Sequence, residues 1–357
     1  PNPDLEVARF LTERTQYDGL APVTGGIEHH ADGMPDTALA MMQAFVPNRG
    51  DGWTWMRALL AGYYETCLKN GLDHGALPDP GASRLDLARR EPPASIAGPA
   101  ATALESARQL GRRTAGFHVA LASEARDPAF APVPITAGWL RELSDGMVRH
   151  AQEVLELLNE RARLLPRPIA EPAHDVLSLG SALIGRFTAL DGIDTDAARI
   201  RCHGDYHLGQ VLRTEDDFIL LDFEGEPLRT LDERRAKGSP LKDVAGMIQS
   251  FDYVANSAFI DAAEQRPEFE RIRESAVRTW SAWVSAAFLG AWLESAAGSP
   301  FLPRTDVTLS TLLDAFLLDK AFYELRYELN NRPDWLPIPL HGIRAIGAAT
   351  NNREEGR

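Results

Sequence analysis

Apolar positions fall first on one helical face. Leu5, Ala8, Phe10 and Leu11 follow Asn2, an N-cap candidate, and Pro3, which suits a first turn, so Pro3–Leu11 reads as a helix start. Two extended runs come next. Val23–Glu28 is one, Ala31-Asp32-Gly33 offers a turn, and Thr37–Val46, with Leu39, Met41, Met42, Phe45 and Val46, is the other. Pro47–Gly52 breaks the second run. From Trp53 the apolar spacing becomes three and four, which predicts helices over Trp53–Lys69 and Ala100–Ala122. Pro78–Pro99 between them is rich in Pro, Gly and Ala and reads as a loop or insertion. Ile135–Leu165 reads as two helices, the second basic at its end and stopped by Pro166-Arg167-Pro168, and Val176–Leu190 as one more. A small sheet followed by many helices predicts an α+β chain.

The pattern changes over Arg201–Asp222. His203-Gly204-Asp205 interrupts the apolar run, Gln210–Arg213 and Phe218–Leu221 read as two strands, and Thr214–Asp217 is a polar turn between them. Folding the second strand back along the first brings Asp222 towards Asp205, with Gln210 close by. One base to orient a hydroxyl and two oxygen ligands for magnesium are what phosphoryl transfer needs. A lone Asp beside a turn is usually a turn former or a cap, but the ordered set, ending in Asp-Phe-Glu-Gly-Glu-Pro, exceeds what a hairpin requires. A metal-dependent hydrolase ligated by His203, Asp205, His207 and Asp222 is the alternative chemistry. Against it, Gly204 separates His203 from Asp205 along an extended segment, and no further His-rich motif supplies ligands.

Two later helices carry polar residues at informative places. Leu241–Ala258 contains Asp243, which taken alone is a helix N-terminal Asp stabilised by the dipole. Leu309–Asn331 carries Lys320, Tyr323, Glu324, Tyr327 and Asn331 at steps of three and four, on one stripe. Such a stripe can hydrogen-bond sugar hydroxyls while the rings stack on the C–H face; it also reads as a surface helix with half-buried tyrosines. Tyr323 and Tyr327 are about 6 Å apart along the axis, which suits a disaccharide better than a monosaccharide. His118 reads as a packed helix histidine.

The chain has 357 residues, 44% of them apolar, enough for one large or two medium domains. Its net charge of −14 argues against nucleic acid and anionic membrane as main partners. Nucleotide phosphates are anionic too, so a nucleotide site would need local cations or a metal. Cys67 and Cys202 lie far apart, which fits a reduced, cytoplasmic setting. There is no apolar run of about 18 residues and no signal peptide.

The run His203-Gly204-Asp205, Gln210 and Asp222-Phe223-Glu224 resembles the aminoglycoside-phosphotransferase branch of the protein-kinase-like fold, with Gln210 where most of that family has Asn. The longer run HGDYHLGQVL…LLDFEGEP…ERRAKGSPLKDVAGMIQSFDYVA is similar to bacterial maltokinases, especially the kinase part fused to trehalose synthase. The resemblance implies a partial β-rich N-lobe over residues 1–50 and a helical C-lobe over 51–357. It implies ATP and Mg2+ as cofactors, maltose as substrate, phosphorylation at its anomeric hydroxyl, and a trehalose synthase domain or subunit as partner. Asp205 would be the catalytic base, Gln210 and Asp222 would hold the metal with Glu224 nearby, and His203 and Asp243 would support the catalytic loop. Glu6 would pair with a phosphate-binding Lys, and Gln43, Phe45 and Val46 would meet adenine; the plainer alternative for Glu6 is a solvent-facing helix residue. Lys320, Tyr323, Tyr327 and Asn331 would line the sugar pocket. The chain starts Pro1-Asn2-Pro3 and shows no Gly-rich phosphate loop or V-A-I-K-type strand, so the ATP clamp is expected upstream. Glu6 is then expected to lack a partner, the first helix to be loosely held, and residues 1–357 alone to bind ATP weakly.

Overall fold

A computed structural model describes residues 2–31, 33, 37–71, 76–79 and 82–354. Of the turn expected at Ala31-Asp32-Gly33, Asp32 lies outside the described residues. Helix α1 (Pro3–Arg14) opens as expected: Asn2 Oδ1 accepts the N–H groups of Asp4 and Leu5, and Leu5, Val7, Ala8, Phe10 and Leu11 are buried. Strands β1 (Val23–His29) and β2 (Thr37–Gln43) pair antiparallel, with Val23 opposite Gln43 and His29 opposite Thr37. Leu39 and Met42 on β2, and Phe45 beyond it, are nevertheless exposed.

Helix α2 (Gly52–Asn70) starts at the Asp51 cap. The Pro/Gly/Ala-rich segment expected as loop carries two short helices, α3 (Arg84–Ala88) and α4 (Ala94–Ala97), each tucking apolar side chains (Leu85, Leu87; Ile96) inwards. Helix α5 (Ala101–Leu121) precedes the two-residue strand β3 (Val133–Pro134) and α6 (Ala137–Ala162). Over Ile135–Leu165 the expectation of two helices is corrected to one. Leu140, Met147, Ala151, Val154 and Leu158 keep one face buried throughout, with Ser144 on the same face satisfied by the Phe187 carbonyl, and Thr136 caps the start. Pro166-Arg167-Pro168 does stop α6, but its prolines also begin α7 (Arg167–Ser178), since Pro fits a first helical turn. A second helix, α8 (Gly180–Thr188), follows at once, so the single helix expected over Val176–Leu190 is broken at Leu179.

Strand β4 (Ala198–Arg199) leads to the hairpin β5 (Val211–Arg213) and β6 (Phe218–Leu220). Helices α9 (Leu231–Arg235), α10 (Leu241–Gln265), α11 (Arg273–Ser295), α12 (Asp306–Asn331) and α13 (Pro337–Glu354) complete the order.

Two compact units emerge. The first comprises Pro1–Ala76, Ala88–Val133 and Ala198–Leu302, the second Leu77–Leu87, Pro134–Ala197 and Pro303–Arg357. Residues on both sides of the lobe boundary expected at residue 50 thus cluster in one unit. Within the first unit α5 packs along α11, and α10 lies against α2 and α11. Trp280, Trp292, Phe251 and Phe288 fill the space between them. Within the second, α12 packs on α6 and α13. No helix of the described residues is long and apolar enough to cross a membrane.

Candidate active site

The hairpin sets the site. Val211 pairs with Leu220 and Arg213 with Phe218, and the Leu221 N–H donates to the Gln210 carbonyl, extending the ladder by one step. That register places Gln210 and Asp222 side by side where the strands open, and Gln210 Nε2 donates to Asp222 Oδ2 at 2.7 Å. Asp222 has φ +62°, the one positive value at a non-glycine among the described residues. It is uncommon for an L-residue, less so for Asp, and is held firmly where the surroundings insist.

The surroundings do insist. His203 Nε2 donates to the Leu221 carbonyl at 2.9 Å, and the Phe223 N–H donates to Asp4 Oδ1 at 2.9 Å. The Phe223 ring is buried, stacked on Phe117 with centroids 5.3 Å apart, and its edge faces His203. Gly204 has φ +89°, and a Cβ there would come within 3.1 Å of Gly225 Cα, so the two loops pass closely only because residue 204 is glycine. A Cβ on Gly246 of α10 would likewise meet the Tyr206 carbonyl at 2.6 Å.

Asp243, on the first turn of α10, holds the loop from beneath. Its Oδ2 accepts the His203 N–H at 2.8 Å and its Oδ1 the Gly204 N–H at 2.9 Å. His118 Nε2 lies 3.0 Å from Oδ2, and Trp292 Nε1–H donates to His118 Nδ1 at 3.1 Å. An indole N–H can only donate, so His118 Nδ1 accepts and the ring proton sits on Nε2, facing Asp243. Burial pushes the Asp243 carboxyl up, but the hydrogen bonds from His118 and Gly204 and the neighbouring imidazoles outweigh it and hold the group below the usual aspartate range. Burial likewise depresses His203, with Asp243 and the hydrogen bond to the Leu221 carbonyl opposing. Asp205 and Asp222 both lie close enough to act on the His203 ring.

Asp205 follows Gly204 and is half-exposed, its Oδ2 3.9 Å from His207 Nε2. Glu224 is ion-paired with Arg234 at 3.2 Å. The expectation that Glu6 lacks a partner and that α1 is loosely held is corrected. Glu6 Oε1 accepts from Arg235 Nη2 at 2.7 Å, and Glu6 Oε2 from Arg235 Nε at 2.9 Å and Arg201 Nη1 at 2.8 Å. Arg201 is 2% exposed and lies over the Phe130 ring, so Glu6 neutralises a buried guanidinium. At the expected hinge, Gln43 Nε2 donates to the Ala21 carbonyl, the Ala44 N–H to Pro22, and Asn48 to the Val46 carbonyl, while Phe45 is 86% exposed.

The helix stripe lies in the other unit and is described by itself. Lys320 pairs with Glu324 at 3.0 Å and sits over the Tyr323 ring. Tyr327 lies under Arg332, and Asn331 Nδ2 donates to the Tyr327 carbonyl. Glu328, absent from the expected set, is wholly buried and holds Arg332 through both carboxylate oxygens.

Asp4, Arg201, Arg235 and Trp292 escaped the sequence reading, while His118 is the packed helix histidine expected, with Asp243 and Trp292 as partners. An aspartate in a helix's first turn and a histidine in a helix have bland local explanations.

Among the described residues no group of three or more His, Cys, Asp and Glu side chains could hold a metal. Magnesium asks for less, since it keeps waters and takes one or two protein ligands beside phosphate oxygens. The Asp222 carboxylate and the Gln210 amide, which has a carbonyl oxygen besides the NH2 now facing Asp222, fit that demand.

No family model matches the chain. It is 27% identical over 322 residues to a glucosamine kinase of Streptacidiphilus jiangxiensis, covering 89% of this chain and 60% of that protein. It is 24% identical over 312 residues to a glucosamine kinase of Mycolicibacterium smegmatis, covering 87% and 63%. The chain thus spans under two thirds of the length of these relatives. A solved glucosamine kinase in complex with glucosamine, ADP and inorganic phosphate superposes with TM-score 0.70 at 23% identity, covering 96% of this chain and 68% of that one. A second crystal form gives TM-score 0.69, covering 97% and 69%. The fold is kinase-like. The α+β fold class expected from the sequence holds, with small antiparallel sheets and many helices.

Proposed function

We propose that the protein containing this chain transfers the γ-phosphoryl group of ATP to a hydroxyl of a sugar. The observation that carries the reading is the Gln210–Asp222 pair, with Asp222 fixed at positive φ behind a catalytic loop anchored on Asp243. Magnesium, when bound, would supply neutralisation of phosphate charge. Gln210 and Asp222 would hold it, while Glu224 is occupied by Arg234. Asp205 accepts the proton as the sugar oxygen forms its bond to phosphorus and the bond to the bridging oxygen of ADP breaks. Positioning and charge neutralisation then supply the rate.

Maltose, phosphorylated at its anomeric hydroxyl, is the acceptor we favour, with a trehalose synthase domain or subunit as its partner. Its support is the motif run from His203 to Ala255 and the stripe of Lys320, Tyr323, Tyr327 and Asn331, whose tail Asn331-Arg332-Pro333-Asp334-Trp335 matches the same resemblance. Glucosamine is the second reading, favoured by the names of the two relatives. Cys67 and Cys202 are both free thiols, which suits the reducing compartment proposed from the sequence.

The test is ADP release by the full-length protein with Mg2+–ATP and maltose, glucosamine, glucose or kanamycin, followed by product analysis. Maltose 1-phosphate, a non-reducing sugar, is expected. Turnover with glucosamine alone would replace maltose by the second reading, and no turnover with any sugar would sink the sugar-kinase reading itself.

A further inference from the structure

Building on the phosphoryl-transfer reading, we infer that Asp4 is a positioning residue for Asp222: its carboxylate accepts the Phe223 N–H and so locks the backbone turn that presents Asp222 to the metal. Two bonds bracket Asp222. On the preceding residue, the Leu221 carbonyl accepts from His203 Nε2. On the following residue, the Phe223 N–H donates to Asp4 Oδ1. Removing either leaves a residue with φ +62° free to relax towards the ordinary negative region, which swings its side chain away from Gln210.

Asp4 is itself well fixed. Its N–H is capped by Asn2 Oδ1 at 2.8 Å, and two residues on, Glu6 is held by Arg201 and Arg235. One helical turn therefore reaches both the metal end and the segment that follows it. The choice of an acid is informative. Asp4 is partly buried and faces Asp222 and Glu224, so its charge is repelled, yet it sits on the one backbone N–H that follows the strained residue. Asn would accept the same bond without the repulsion, which separates the bond from the charge.

The experiment is Mn2+ binding to the full-length protein with ADP, followed by electron paramagnetic resonance of the free ion, alongside hydrogen exchange of the peptide covering 221–225. Asp4→Ala is expected to weaken Mn2+ about tenfold and to speed exchange, while the KM for the sugar stays put. Asp4→Asn is expected to keep Mn2+ affinity within roughly twofold of the wild type. Wild-type affinity in Asp4→Ala, or a loss in Asp4→Asn equal to that of alanine, overturns the inference. If Asp4→Ala does not fold, Asp4→Ser takes its place with the same expected loss, and wild-type Mn2+ affinity in it overturns the inference. A wild type that binds no Mn2+ overturns the metal assignment and this inference together. One that binds Mn2+ but phosphorylates no sugar overturns only the proposed function.

Discussion

His118 Nε2 lies 3.0 Å from Asp243 Oδ2, and neither side chain touches solvent. Through that contact α5 and α10 grip one carboxylate, which in turn holds the N–H groups of His203 and Gly204. Replacing Asp243 by Ala strands those buried donors. We expect a loss of about 3 kcal/mol in urea unfolding, with Asp243→Asn costing less because its amide oxygen still accepts. Equal stability of Asp243→Ala and wild type would show that the buried relay is not needed to hold the loop.

Asp205→Asn should lower turnover about a thousandfold in the full-length protein while nucleotide affinity stays unchanged. Single-turnover kinetics with a separate ADP titration read the two effects apart. Retained turnover would mean that another group takes the proton.

The backbone at Asp222 makes a second kind of test. Asp222→Gly should unfold at the same or slightly higher urea than Asp222→Ala, by about 1 kcal/mol, because glycine accepts φ +62° without strain. Both should lose Mn2+ binding. A glycine variant less stable than the alanine one would mean the turn is not what glycine relieves.

Glu6 gives the chain an acid sensitivity. Burial pushes its carboxyl up, but Arg235 and Arg201 outweigh that and hold it below the usual glutamate range. A carboxyl depressed in the folded state stabilises the fold fully above its unfolded pKa, about 4.3, and that contribution fades as pH falls through the lower folded value. Wild type should therefore lose more stability than Glu6→Gln between about pH 5 and about pH 3, measured by urea melts. At neutral pH Glu6→Gln should cost about 2 kcal/mol, since Arg201 stays buried with its charge uncompensated. Parallel pH profiles for the two proteins would place the acid response elsewhere.

Tyr327→Ala should raise the KM of the sugar several-fold, about 1 kcal/mol in binding, and leave that of ATP alone. Initial rates over both substrates decide it. An unchanged sugar KM would take the acceptor pocket off α12.

The sequence by itself determined what short-range periodicity controls. Apolar spacing located α1, α2, α5, α10 and α12, the cap at Asn2 marked where the first of them begins, and the two-strand pattern with its polar turn brought Gln210 beside Asp222. Each follows from contacts between residues close in the chain, whose preferences are written locally. Tertiary structure alone decided the rest. Glu6 faces Arg201 and Arg235, 195 and 229 residues away, and Phe223 reaches Asp4 across 219 residues. Glu224 turned to Arg234, and His118 became part of the loop's support because Trp292 and Asp243 close on it from other helices. No local rule selects such partners: which buried donor meets which acceptor depends on how the helices pack, and burial then presses most polar groups to find one.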